Sequence, residues 1–240
     1  MARRRFFVDQ IRNHQAEIAG DEAHHLVRVL RVEAGEHYEI TDGHDIYLAE
    51  VTEARKSRVV FAVKDRIEPK PQALRLSLYI AIVKFERMEW IFEKGTELGV
   101  MRFIPVITDR SEKGLERAVP KRMERWQRIA LEASQQSRRD HLPEITECMT
   151  FRTAASQAPG LCLFADEAPG VAPLLPALPA APEPGAEVSV LLGPEGGWTD
   201  TERAFAAEQG WKLFSLGPLV LRAETAAIAA AAVLQAHWLR

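Results

Sequence analysis

LLGPEGGWTDTE, residues 191–202, runs an apolar stretch into Gly193-Pro194-Glu195-Gly196-Gly197 and then into a helix start. Glycine and proline at this density do not pack as core; they let backbone come close to a partner. Thr199 followed three residues later by Glu202 reads as a capping box, so a helix opens near residue 200. The pattern returns in FSLGPLVLRAETAA, residues 214–227, where another apolar run meets Gly217-Pro218 before an alanine-rich helix.

Working upstream, residues 74–240 alternate short apolar runs with amphipathic stretches. Strands are expected at 74–83, 103–108, 161–166, 188–193 and 211–217. Helices are expected at 84–99, 118–138, 200–209 and in the last segment. The first turns Phe85, Met88, Ile91, Phe92, Gly95 and Leu98 inward and closes at Gly99. The second carries Met123, Trp126, Ile129, Ala130 and Ala133, and the Pro/Ala-rich residues 168–185 read as loop. This alternation predicts a mainly parallel sheet covered on both faces. Ligands bind such sheets at the carboxyl ends of the strands, where both Gly-Pro loops fall. Backbone groups of Gly193, Gly196, Gly197 and Gly217 would suit a flat heterocycle such as adenine. Neither a P-loop nor a G-x-G-x-x-G fingerprint is present in the sequence.

Residues 1–67 read differently. Tyr38 and Ile40, a turn at Asp42-Gly43, then Ile46, Leu48 and Val51, and later Val59, Phe61 and Val63, mark short strands of a small barrel. A helix over 21–32 precedes them, with Leu26, Val29 and Leu30 on one face. Glu68-Pro69-Lys70-Pro71 is a linker. The expected domains are therefore 1–70 and 73–240.

The chain has 240 residues, 47% of them hydrophobic and 27% charged, with a formal net charge of −3, so it is no polycation. Its charge is uneven: residues 110–140 hold nine Lys/Arg against five acids, whereas 151–210 hold two against eight. A basic segment on a mildly acidic chain suits an anionic partner at one face, or a solvated helix. Cys148 and Cys162 form no CxxC and have no adjacent His cluster, so no metal site is expected. The opening MARRRFFVDQ lacks a signal-peptide apolar run, and the longest apolar stretch, 226–234, is too short to span a bilayer. A cytoplasmic protein without membrane contact is expected.

The two C-terminal stretches closely resemble the signature of the ribosomal RNA small subunit methyltransferase E family. EKGTELGV (93–100), TDRSEKG (108–114), RWQRIALEASQQSRRDHLPEI (125–145) and the N-terminal RRFFV and HHLVRVLR extend the likeness over nearly the whole chain. Gln135 departs from the family's usual Glu, and Asp109 stands where Ser-Glu is commoner. The resemblance implies an α/β fold: a PUA-like β-barrel, then a SPOUT-type parallel-sheet domain with a C-terminal trefoil knot. It implies a homodimer that uses S-adenosylmethionine (SAM) to methylate N3 of a uridine in 16S rRNA of the 30S subunit, without a metal.

On that reading, Leu192, Gly193, Pro194, Glu195, Gly196, Gly197, Leu216, Gly217, Leu221, Arg222 and Thr225 hold the cofactor. Arg222 would stabilise charge developing on uracil. Glu195, Glu224 or Glu97 would serve as base, or the proton would leave through water without one. Arg3, Arg4, Arg5, Arg110, Gln136, Ser137, Arg138 and Arg139 would meet RNA, with the His24-His25 helix nearby. Two alternatives stay open: a non-catalytic RNA-binding protein, which would need no glycine loops and bind no SAM, and a SPOUT enzyme acting on another RNA. A nucleotide hydrolase or kinase is disfavoured by the missing phosphate loops.

Overall fold

The computed structural model describes residues 4–69, 71–181 and 183–239. Arg3 lies outside the described residues. The chain divides into two compact units, 1–70 with 131–142, and 71–130 with 143–240.

The first unit contains β1 (Arg5–Phe7), β2 (Ile11–Arg12), β3 (Gln15–Ala19), α1 (Gly20–Arg28), β4 (His37–Thr41), β5 (Ile46–Arg55) and β6 (Arg58–Ile67). They form a six-stranded sheet in the order β1-β4-β5-β6-β3-β2, antiparallel except for β1 and β4. Its core is Phe6, Ile18, Leu26, Ile40, Val51 and Phe61. The register of β5 against β6 shifts between Leu48 and Ala49 and again between Val51 and Glu53. Each bulge increases local coiling and moves the buried face by one residue. That is why Ala49, not Leu48, is buried. The β2–β3 hairpin was not legible, because its turn uses Asn13 and His14, both at positive φ (49° and 59°), instead of glycine. Helix α1 stops at Arg28, so Val29 is 63% exposed and does not join Leu26 on the inner face as expected.

The second unit contains β7 (Leu74–Ala81), α2 (Phe85–Glu97), β8 (Arg102–Ile107), α3 (Leu115–Ala118) and the start of α4 (Met123–Ser137). There follow β9 (Glu144–Ile145), β10 (Met149–Thr150), α5 (Phe151–Gln157), β11 (Leu161–Ala165), α6 (Leu174–Ala177) and β12 (Ala186–Leu192). The chain ends with α7 (Asp200–Glu208), β13 (Lys212–Phe214) and α8 (Ala223–Trp238). The expected helix over 118–138 is interrupted: Val119–Lys121 is a 3-10 turn holding Pro120, which cannot donate inside a helix. The stretch 168–185 gains the short α6, and α5 was not foreseen.

The seven-stranded sheet runs β10-β8-β7-β12-β11-β13, with β9 also on β8, and every pairing is parallel. Alternating side chains serve two cores. Leu76, Leu78, Ile80, Val190 and Leu192 pack with Ile91, Phe92, Trp126, Ala227 and Leu234. Tyr79, Ile104, Phe164 and Leu191 pack with Phe151, Trp198, Ala206 and Trp211. Alanines of α8 let that helix lie close to α2, β7 and β12. The order places β12, late in the chain, between β7 and β11. Direction of travel across the sheet therefore reverses beside β12, and ligands bind at such switch points.

The capping box forms as expected. Thr199 Oγ1 accepts the Glu202 N–H at 3.2 Å, and Glu202 Oε2 accepts the Thr199 N–H at 2.9 Å. Glu202 is 3% exposed, and its Oε1 also accepts the Asp109 N–H at 3.0 Å. Glu202→Ala should lower the free energy of unfolding by about 2–3 kcal/mol, because a cap and a buried charge-assisted bond go together. Urea denaturation checks this; a loss within experimental error would contradict the assignment.

Candidate active site

A cavity of about 310 Å³ opens at the carboxyl ends of β11, β12 and β13, against the start of α8. That is the lower end of the usual range for small-molecule sites. Leu192, Pro194, Leu216, Leu219, Val220 and Leu221 form its apolar lining, and Arg87, Asp166, Glu167, Glu195, Ser215 and Arg222 its polar groups. Gly193 is forced to be glycine by Trp198: a Cβ there would lie 2.9 Å from the indole ring. Trp198 is 1% exposed and donates its indole N–H to Ala165 O at 2.8 Å. The loop after β12 is thus tied to the end of β11. Gly217 sits at φ +143°, where side chains are rarely accommodated, and is exposed at the cavity edge.

Of the residues expected to hold a cofactor, Leu192, Gly193, Pro194, Glu195, Leu216, Gly217, Leu221 and Arg222 line this cavity. Gly196, Gly197 and Thr225 do not. Gly197 turns the loop at φ +67°, and its N–H bonds Pro194 O at 2.9 Å. Thr225 is exposed on the first turn of α8.

The polar groups form two clusters. Asp166, its side chain fully buried, accepts Arg203 Nε at 2.7 Å and Nη2 at 3.1 Å. Arg203 also donates to Trp198 O at 3.0 Å, so the fork braces the loop from behind. In the second cluster, Arg87 of α2 is ion-paired with Glu195, and its Nε lies 3.9 Å from Glu224 Oε2. That Glu224 oxygen is buried without a hydrogen-bond partner, although Glu224 itself does not line the cavity. Arg222 occupies the N-cap position of α8, exposed; its carbonyl accepts the Ala226 N–H at 2.9 Å, and its side chain makes no hydrogen bond or ion pair among the described residues. Glu97 lies away from the cavity and pairs with Lys94 at 2.9 Å. Arg87, Asp166, Glu167 and Ser215 were not foreseen. Asp166 follows a parallel strand and Arg87 opens the helix after one, which was the available signal.

A family model described as RNA methyltransferase domain matches residues 69–235, and one described as RNA methyltransferase PUA domain matches residues 18–64. Ribosomal RNA small subunit methyltransferase E of Bacillus subtilis is 32% identical over 237 residues, covering 92% of each chain. That of Aquifex aeolicus is 30% identical, covering 95% of this chain and 97% of the relative. The chain belongs to the ribosomal RNA small subunit methyltransferase E family. A family structure from Neisseria gonorrhoeae, bound to S-adenosyl methionine, superposes with TM-score 0.82 at 29% identity over 99% of this chain and 98% of that one. A Legionella pneumophila methyltransferase in complex with bound SAM gives TM-score 0.85 at 30% identity over 98% of both chains.

In this methyltransferase E family member the residues expected to meet RNA fall into different settings. Arg110 is exposed and donates to Gly196 O at 2.9 Å, at the back of the glycine loop. Asp109, the departure from the family pattern, accepts the Thr199 hydroxyl at 3.3 Å and so belongs to the same brace. In the first unit, Arg4 and Gln136 are exposed. Arg5 is instead held by Glu39 at 2.9 Å and by Arg138 O at 2.9 Å. Arg138 sits at φ +59°, and the Ser137 hydroxyl is turned back to Ala133 O at 2.7 Å. Arg139 is buried, which pushes its guanidinium down to about 10; its Nε donates to His141 O at 3.3 Å. It is therefore placed inside the unit and not at the surface expected of a phosphate ligand. Gln135 is also buried and donates to Glu22 Oε1 at 2.8 Å, so it does not face a substrate. Burial raises the Glu22 carboxyl, and the Gln135 bond opposes that rise. Among the described residues no group of three or more His, Cys, Asp or Glu is placed to hold a metal, and no helix is long and apolar enough to cross a membrane.

Gly193→Ala should cost about 1–3 kcal/mol of stability, since the added methyl overpacks the Trp198 ring. Thermal unfolding measures it; an unchanged Tm would show that the loop and Trp198 are not in contact.

Proposed function

We propose that this chain transfers the methyl group of SAM to N3 of a uridine in 16S rRNA, acting in the cytoplasm as a homodimer on the 30S subunit, with its C-terminal segment threaded as a trefoil knot. The observation that carries the reading is the cavity walled by two Gly-Pro loops at parallel strand ends, with the Arg222 guanidinium, unpaired among the described residues, at its rim.

The cavity fits the cofactor chemically. Leu192, Pro194, Leu216 and Val220 offer apolar surface for a flat purine, and Gly193 and Gly217 leave backbone groups accessible beside it. Carboxylates of Glu167 and Glu195 on the lining suit a cofactor carrying a sulfonium and an ammonium. Leu192, Gly193, Pro194, Glu195, Leu216, Gly217, Leu221 and Arg222 would hold it. When bound, SAM supplies an electrophilic methyl group on sulfur.

The chain's own residues then position and polarise. Uracil N3 carries a proton, so methylation there requires an anion to form. Arg222 keeps its charge throughout and stands at the N-terminus of α8, whose dipole adds a favourable field for negative charge at a uracil oxygen. Of the carboxylates considered as base, Glu195 and Glu224 both face Arg87, and Glu97 pairs with Lys94. Each of the three is thus beside a cation, so the N3 proton is taken up by water. A uridine in folded RNA must leave its stack to reach this site. Of the described residues expected to meet RNA, Arg110 in the second unit is an exposed cation suited to its phosphates, and Arg4 in the first unit is separately exposed.

The test is incubation with labelled SAM and 30S subunits from a strain lacking the modification, followed by nucleoside analysis. Labelled 3-methyluridine is expected. Label in another nucleoside, or in another RNA only, would redirect the substrate assignment. Arg222→Ala should lower kcat by about 10²–10³, as for loss of one oxyanion donor. Near-normal turnover in the folded variant would remove Arg222 from the mechanism. Arg110→Ala should reduce the slope of log K for RNA against log salt by about 1; an unchanged slope would mean that Arg110 meets no phosphate.

A further inference from the structure

We infer that Arg87 is a positioning residue for methyl transfer, a clamp that joins the loop after β12 to the first turn of α8 and so holds the two walls of the cavity at a fixed spacing. The inference rests on the function proposed above.

Arg87 is the third residue of α2, a helix anchored in the core by Met88, Ile91 and Phe92 and packed against α8. Its own backbone is thus held in place. Its side chain reaches the cavity lining and is 24% exposed. One edge of the guanidinium is ion-paired with Glu195, at the centre of Gly193–Gly197, and 108 residues from Arg87 in sequence. Its Nε faces Glu224 Oε2 at 3.9 Å, in the first turn of α8 and two residues after Arg222. A planar guanidinium with five donors can address two carboxylates from different directions; an ammonium is a single point charge.

Glu224 explains why the cation is needed. Its side chain is 16% exposed, and Oε2 is buried with no hydrogen bond. A carboxylate so placed is costly without a nearby positive charge. Removing Arg87 would leave Glu195 and Glu224 without it, freeing the glycine loop from α8. Arg222 follows the loop that forms one wall and caps α8, so its position depends on the same clamp. Arg87 acts through these residues and is not itself assigned to the reacting atoms.

The experiment measures SAM Kd by calorimetry, and steady-state methyl transfer, for wild type, Arg87→Ala, Arg87→Lys, Glu195→Gln and the Arg87→Ala/Glu195→Gln double variant, with Tm recorded for each. Arg87→Ala should raise the SAM Kd by about tenfold or more, with most of the kinetic loss in KM for SAM. The effects of Arg87→Ala and Glu195→Gln on Kd should be clearly less than additive in the double variant, because the two changes share one broken contact. Arg87→Lys should recover part of the affinity by keeping one of the two pairings. Arg87 serving only to stabilise α2 would instead lower Tm and give additive effects on Kd, which overturns the inference. So does a Kd for Arg87→Ala within twofold of wild type. A wild-type chain that binds no SAM overturns the proposed function and this inference with it; wild-type binding beside indifferent Arg87 variants overturns the inference alone.

Discussion

The pairing of β12 on both its edges is the constraint on which the second unit depends. From Ala186 to Leu192 it is hydrogen-bonded in parallel to β7, and over Val188–Leu191 to β11 on the other side. All but its first two residues are buried. A strand held on two edges and buried on two faces cannot slip by one residue without inverting every side chain. Its end is therefore fixed, and the chain leaves it at Gly193, directly against Trp198. The cavity inherits that placement. Its walls are loops, but they hang from strand ends that have little freedom.

Around this frame, charged groups do what apolar packing cannot do for a loop rich in glycine. Asp166 and Arg203 hold the far side through Trp198 O. Glu202 fastens both the helix cap and Asp109. Arg110 reaches Gly196 O, and Arg87 reaches Glu195. The bonds to Asp166, Asp109, Arg110 and Arg87 span elements far apart in sequence, so a flexible stretch becomes a defined surface without bulk of its own. Arg222 differs: it ends at the rim without a protein partner among the described residues. An exposed guanidinium beside braced neighbours is available for charge that arises only during reaction.

The parts of this structure that were legible in the sequence are the local ones. The inward row of α2, the Thr199–Glu202 cap and the alternation of strands with helices follow from periodicity and capping rules, and the structure has them. The two Gly-Pro loops were legible because glycine and proline have few alternative uses at strand ends. What was not legible depends on contacts between distant residues. Arg87 looked like an ordinary polar position on an amphipathic helix until Glu195 and Glu224 came beside it. Arg5 and Arg139 looked like surface cations, yet one is held by Glu39 and the other is buried. Gln135 looked like a lost charge, whereas it supplies the amide that the half-buried Glu22 accepts. The Asn13-His14 turn escaped because a hairpin of this kind usually announces itself with glycine.

The central claim is that the cavity between the two glycine loops is the cofactor site, and direct titration of SAM into the intact protein by calorimetry tests it most simply. The account predicts saturable binding of one equivalent per chain, displaced by S-adenosylhomocysteine, which shares every part except the methyl group. No binding heat up to millimolar SAM at several temperatures would contradict it.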